Sequence, residues 1–153
     1  MTDFRKLVLL AAGGSAALLL GAFFFQMIGY PPCKLCIWQR WPHGAAIALG
    51  AVVLLGGPRW LAWAGALAAA VTGAVGVFHA GVEQGWWTGP TTCTSGGALS
   101  GSTEDLLGQI MAAPLVRCDE IAWSFAGLSM ASWNAILSFG LVLIWVAAAR
   151  RAA

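Results

Sequence analysis

The chain has 153 residues, of which 59% are hydrophobic and only 9% charged, with a mean hydropathy of +0.79. A soluble domain carries about a quarter charged residues, and a chain this short has too little interior to hide so much apolar surface from water. Composition therefore predicts a single membrane domain over 1–153 with the lipid bilayer as solvent, and a net charge of +2 argues against nucleic acid as a partner.

Four apolar segments follow in order. The first, about 7–28, comes after Arg5 and Lys6. It outruns the roughly 7–15 apolar residues of a signal peptide and ends at no small-x-small cleavage site. The second is predicted over 41–56, and its apolar part, from His43 to Leu55, is short of the roughly 20 residues a spanning helix needs. It reaches that length only if its helix begins near Ile37 and takes in Arg40, whose long side chain can snorkel to the interface. Gly56-Gly57-Pro58-Arg59 reads as a tight turn into the third segment, 60–79. The fourth is predicted over 124–147. The expected fold is an all-α integral membrane bundle of four transmembrane helices, with two outer loops at about 29–40 and 80–123.

Charge predicts the orientation. An even number of spans puts both termini on the side of the 56–59 turn, which carries Arg5, Lys6, Arg59, Arg150 and Arg151 against Asp3. The other side carries Lys34, Arg40 and Arg117 against Glu83, Glu104, Asp105, Asp119 and Glu120. Basic residues mark the cytoplasmic side, so both termini are expected in the cytoplasm and the long loops outside. Trp38, Trp41, Trp86, Trp87 and Trp123 are expected as an outer aromatic belt, and Trp60, Trp63 and Trp145 as an inner one. Within the second loop, 94–102 is Gly/Ser/Thr-rich. Ser102-Thr103-Glu104-Asp105 then looks like a helix start, with Leu106, Leu107, Ile110 and Met111 on one face before Pro114. Such a helix would lie flat on the membrane or pack on top of the bundle.

All four cysteines, Cys33, Cys36, Cys93 and Cys118, fall on the outer side of this topology. Cys33-Lys34-Leu35-Cys36 is a C-x-x-C pair directly after Pro31-Pro32. The thiolate is the reactive form, and nearby positive charge favours it; Lys34 lies between the thiols and Arg40 four residues after Cys36. With a helix in place by Cys36, that spacing puts the guanidinium on the same face, one turn deeper. A bridge between Cys93 and Cys118, which have 24 residues between them, would contribute about 3.5 kcal/mol by loop entropy, which fits a staple or a shuttle equally well. Other readings stay open: two structural disulfides, or a metal held by all four cysteines, although zinc ribbons use two C-x-x-C pairs. His43 and His79 near the outer helix ends admit a bis-His haem, but interfacial histidines are more often solvated polar groups. Arg40 as a mere anchor and Glu83 as an exposed loop carboxylate are the corresponding plain alternatives.

At this point the residues resemble the disulfide bond formation protein B (DsbB) family. The run Gly29-Tyr30-Pro31-Pro32-Cys33-Lys34-Leu35-Cys36-Ile37-Trp38-Gln39-Arg40 is similar to its C-x-L-C-x-x-[EQ]-R signature. Gly89-Pro90-Thr91-Thr92-Cys93 resembles the approach to its third cysteine. Cys118-Asp119-Glu120, with Trp123, Phe125, Gly127, Leu128, Met130, Trp133 and Asn134, resembles the run from its fourth cysteine into the last helix.

The resemblance implies a quinone-dependent thiol:disulfide oxidoreductase of the bacterial inner membrane. Its partners would be a periplasmic DsbA-type thioredoxin-fold oxidase and the membrane quinone pool, ubiquinone or menaquinone. Cys93, paired with Cys118, would take the mixed disulfide with the partner. Cys118 would pass electrons to Cys33–Cys36 through a Cys33–Cys118 bond, and Cys36 would reduce quinone beside Arg40. His79 falls near a polar family position close to the quinone. Lys34 is expected to favour the thiolates of the C-x-x-C pair. Two rivals are a protein of the vitamin K epoxide reductase type, whose C-x-x-C belongs at a later helix, and a non-enzymatic adaptor with stapled loops.

Overall fold

The computed structural model describes residues 2–90, 102, 104, 108 and 116–151. Four long helices dominate: α1 (Asp3–Met27), α2 (Lys34–Leu54), α3 (Leu61–Glu83) and α4 (Met130–Arg150). Two-residue strands β1 (Ser124–Phe125) and β2 (Leu128–Ser129) form a hairpin just before α4. By length and apolarity α1, α3 and α4 can each cross a membrane. At 21 residues α2 has the length, about 31 Å at the helical rise, but Lys34, Gln39, Arg40 and His43 make its first half polar.

Local chemistry sets the helix limits. Pro31 and Pro32 keep the chain extended before α2, and the Cys33 sulfur caps the helix by accepting from the Cys36 backbone N–H at 3.2 Å. The helix therefore begins at Lys34, earlier than the predicted segment, and takes in both Cys36 and Arg40. In turn α3 runs to Glu83, one turn beyond 79. Residues 124–129 are not the start of the last helix. Ala126 and Gly127 both have positive φ, 52° and 77°, as the tight turn of a two-residue hairpin loop requires. Helix α4 starts only after Ser129, whose hydroxyl accepts from the Ser132 N–H.

In the bundle, α3 packs on α2 and α4, α1 packs on the same two, and α1 and α3 lie diagonally opposed. Small residues let the backbones approach. A methyl group on Gly50 would collide with Ala12, and one on Gly65 would lie 2.8 Å from the Trp145 indole. Trp145 is fully buried between these glycines, so the interfacial position expected for it is corrected: it is a core residue, with Val8, Ala11, Ala62 and Ala66 in the same cluster. Trp38, Trp41, Trp60, Trp63, Trp86 and Trp87 are exposed.

Polar ties close the end of the bundle that holds both termini. Arg5 donates to the Leu54 carbonyl at 2.6 Å, Arg59 donates to the Arg151 carbonyl at 2.8 Å, and Arg151 pairs with Asp3 at 3.4 Å. The opposite end holds the α2 N-terminus, the α3 C-terminus and residues 116–129. Of the helix predicted after Ser102, only Glu104 and Gly108 are described, both helical. The rest of it, with Cys93 and the Gly/Ser/Thr-rich stretch, lies outside the described residues.

Candidate thiol redox site

The N-terminus of α2 brings Cys33 and Cys36 together, with sulfurs 2.6 Å apart and neither in a disulfide. The hydrogen bond to Cys36, and then burial, push the Cys33 thiol up. Cys118 is fully buried and disulfide-bonded. Its sulfur, the Cys33 sulfur and a His79 ring nitrogen all lie within 4.8 Å of one another. A sulfur already bonded to sulfur is a poor metal ligand, because metals take the thiolate, whereas it is the natural target of a neighbouring thiolate.

Behind the sulfurs, a buried hydrogen-bond chain runs through the bundle, and one carbonyl sets its direction throughout. Gln39 Nε2 lies 3.2 Å from the Leu35 carbonyl, which can only accept. The same amide nitrogen therefore donates to His79 Nδ1 at 2.9 Å, leaving the imidazole hydrogen on His79 Nε2. That nitrogen donates to the Cys118 backbone carbonyl and also faces Cys33 Sγ at 3.5 Å and Glu83 at 3.8 Å. Gln39 Oε1 must accept, and does so from Asn134 Nδ2 at 2.7 Å. Asn134 Nδ2 also reaches Thr72 Oγ1 at 3.3 Å, whose own hydrogen goes to the Gln39 carbonyl. Asn134 Oδ1 is then the acceptor facing His43 Nε2 at 2.9 Å.

Arg40 lies on the face of α2 that carries Cys36. Its guanidinium donates to Gln26 Oε1 at 2.7 Å and to the Ala22 carbonyl at 3.3 Å, both on α1, and stacks 4.9 Å over the Phe23 ring. Cys33, Cys36, Arg40, His43, His79 and Glu83 all line one cavity of about 440 Å³. The α1 side of it is walled by Leu18, Ala22 and Phe25, and the α4 side by Met130, Trp133 and Leu137. On its rim Arg117 holds Asp119 through two bonds of 3.0 and 2.6 Å, and this guanidinium keeps the Asp119 carboxyl below the usual range. Lys34 is exposed, with its ammonium 5.8 Å over the Trp38 ring.

Three expectations change. Glu83 is not an exposed loop carboxylate: it ends α3 with its side chain 5% exposed. His79 and His43 are not wet interfacial groups but 4% and 3% exposed, because the hydrogen-bond chain crosses the bundle between them. Their engagement with Gln39 and Asn134 also leaves no free pair of imidazoles to hold a haem.

The family model described as Disulfide bond formation protein DsbB matches residues 4–148. The chain belongs to the DsbB family. Among its relatives is the disulfide bond formation protein B of Paracidovorax citrulli (strain AAC00-1), 31% identical, over 92% of this chain and 83% of that protein. That of Xanthomonas oryzae pv. oryzae (strain MAFF 311018) is also 31% identical, over 92% and 87%. That of Polaromonas sp. (strain JS666 / ATCC BAA-500) is 28% identical, over 92% and 89%. No solved structure matches the chain. Membership in the DsbB family, with three helices able to span, makes this a multi-pass membrane protein.

Sequence reasoning brought Cys33, Cys36, Cys118, Arg40 and His79 to one end of the DsbB bundle. It missed the couplings through Gln39, Thr72 and Asn134, which the resemblance touched only as motif letters or not at all. A signal was present: polar side chains inside apolar helices are costly unless they find each other, and these three sit at the depth where α2, α3 and α4 meet.

Proposed function

We propose that this DsbB-family membrane protein is the disulfide oxidoreductase that reoxidises a periplasmic DsbA-type thiol oxidase and delivers the electrons to membrane quinone. The observation that carries the reading is the placing of Cys118 Sγ and Cys33 Sγ within 4.8 Å, with Cys36 opening into a cavity of about 440 Å³. The family's name, and relatives called disulfide bond formation protein B, support the coarser part: a disulfide oxidoreductase acting in disulfide bond formation.

In this reading the dithiol of the partner attacks the Cys93–Cys118 disulfide, Cys93 taking the mixed disulfide. The partner leaves as a disulfide, and Cys93 and Cys118 each become thiols. The Cys118 thiolate then attacks Cys33 of an oxidised Cys33–Cys36 pair. Resolution by Cys93 restores Cys93–Cys118 and leaves Cys33 and Cys36 reduced, so two electrons and two protons have moved inward. His79, bonded to the Cys118 backbone and 3.5 Å from Cys33 Sγ, holds the two reacting segments side by side, while the α2 N-terminus favours negative sulfur there.

The cavity fits a quinone-class acceptor. Its walls are apolar, and the Arg40 Nε–H is buried with no partner among the described residues, a donor at hand for a ring carbonyl. Bound there, the quinone would take two electrons and two protons and regenerate the Cys33–Cys36 disulfide. Arg40 would hold the ring, with the aromatic and aliphatic wall excluding water. The basic end of the bundle, with Arg5, Lys6, Arg59, Arg150 and Arg151, supports cytoplasmic termini in the inner membrane and a sulfur end facing the periplasm.

The test follows quinol formation on mixing purified protein, a reduced DsbA-type partner and a short-chain quinone. Wild type is expected to turn over, and Cys36→Ser and Cys93→Ser to lose turnover by at least a hundredfold. The reading fails if wild type oxidises the partner no faster with quinone than without it, or if either serine variant retains wild-type turnover.

A further inference from the structure

His43 lines the cavity but has no task in this scheme, and the inference drawn from it rests on the quinone reading. Helix α2 turns Cys36, Arg40 and His43 toward the same cavity, spaced four and then three residues apart, so they form one stripe running inward from the sulfurs. His43 is the innermost of the three. Its Nε2 is held by Asn134, and the amide directions forced by the Leu35 carbonyl make Asn134 Oδ1 an acceptor. The imidazole hydrogen must therefore sit on Nε2, and Nδ1 presents a bare lone pair. That Nδ1 is buried with no partner among the described residues.

The two orphans on the stripe are complementary. Arg40 Nε–H is a donor lacking an acceptor; His43 Nδ1 is an acceptor lacking a donor. Of the two redox forms of a quinone ring, the carbonyl can satisfy the first, and only the hydroxyl of the reduced form can satisfy the second. We propose that His43 is a ligand-binding residue that accepts a hydrogen bond from a ring hydroxyl, so that the site binds a hydroquinone through a contact the oxidised quinone lacks. Asn134 is its positioning residue, fixing which ring nitrogen is bare. A purely structural His43, serving only to tie α2 to α4, would use Nε2 alone and give the hydroquinone no advantage over its ether.

The experiment uses the full chain in lipid nanodiscs carrying Cys33→Ser and Cys36→Ser, so that added rings keep their oxidation state. A short-chain hydroquinone, its dimethyl ether and the matching quinone are titrated without oxygen, and binding is read from the quenching of tryptophan fluorescence. Trp123 and Trp133 line the cavity. The expected result is hydroquinone binding at least fivefold tighter than the ether, with that margin gone in a further His43→Phe variant whose Kd for quinone stays within twofold. Absence of the margin while His43 is present overturns the proposal, as does an equal loss for all three ligands in His43→Phe. The ether comparison needs no change at position 43, so a His43 variant that fails to fold leaves the test standing. Failure of every ring to bind would sink the quinone reading itself, whereas binding without the margin sinks only the assignment of His43.

Discussion

Arg40 shows how one residue reconciles burial with charge. Its two terminal nitrogens are satisfied on α1 and its face lies on Phe23, so the remaining Nε–H is held in place without being used up. Removing a donor of this kind costs about 1.5 kcal/mol where the acceptor gains charge, which is roughly tenfold in affinity. Arg40→Ala is therefore expected to raise the apparent KM for quinone about tenfold while thiol exchange with the DsbA-type partner stays within about twofold. Stopped-flow measurement of the two half-reactions separates them, and equal quinone kinetics would reduce Arg40 to an anchor. Asp119, next to Cys118, makes a pH prediction at the same scale. Its folded-state pKa is depressed by Arg117, so the ordering it contributes is present above the ordinary aspartate value of about 4 and is lost only as pH falls through the lower folded value. Hydrogen exchange over 117–121 should thus hold its protection down to about pH 4 and loosen below it. Asp119→Asn should show weaker protection than wild type above about pH 4 and converge with it at lower pH, and a wild-type loss of protection already near neutrality would contradict the pairing.

Element limits explain why part of the site was legible in the sequence and part was not. The C-x-x-C spacing and the prolines before it announce a helix start, and Arg40 follows from helical periodicity alone. Hydrophobicity, however, locates apolar stretches and not helix ends. It therefore placed residues 34–40 in a loop, because Lys34, Gln39 and Arg40 depress the local average, and placed 124–129 in a helix, because Phe125, Ala126 and Leu128 raise it. The hairpin there depends on two positive φ angles, one at an alanine, a residue with no turn signature. Cys33, the sulfur proposed to be attacked by Cys118, is also the cap of α2, which has a measurable consequence. Serine is a good cap and alanine a poor one, by about 1 kcal/mol. Cys33→Ser should accordingly melt above Cys33→Ala in the same detergent while both lack activity; equal melting temperatures would mean that the sulfur contributes nothing to the helix start.

Across the whole molecule, alternation of four helices sends both termini to one end and the described cysteines to the other. That geography was readable from helix count and turn length. The side-chain junction of α2, α3 and α4 was not, because contacts such as Gln39 to Asn134, 95 positions apart, leave no periodic trace in a single sequence. The closest functional consequence of the fold is the meeting of Cys33 with Cys118, brought from an α2 N-terminus and from the segment before the hairpin. With their sulfurs already within 4.8 Å, closing to bonding distance asks for side-chain rotation and little backbone movement. A chain carrying Cys36→Ser and Cys93→Ser, left with these two thiols alone, should form the Cys33–Cys118 disulfide rapidly and nearly completely under mild oxidation, as read by peptide mass after non-reducing digestion. The bond should form at the same rate at tenfold lower protein concentration, since the reaction is intramolecular. Slow closure, or products linked between chains, would mean that the two sulfurs do not meet in the working protein, and the proposed transfer from Cys118 to Cys33 would fail.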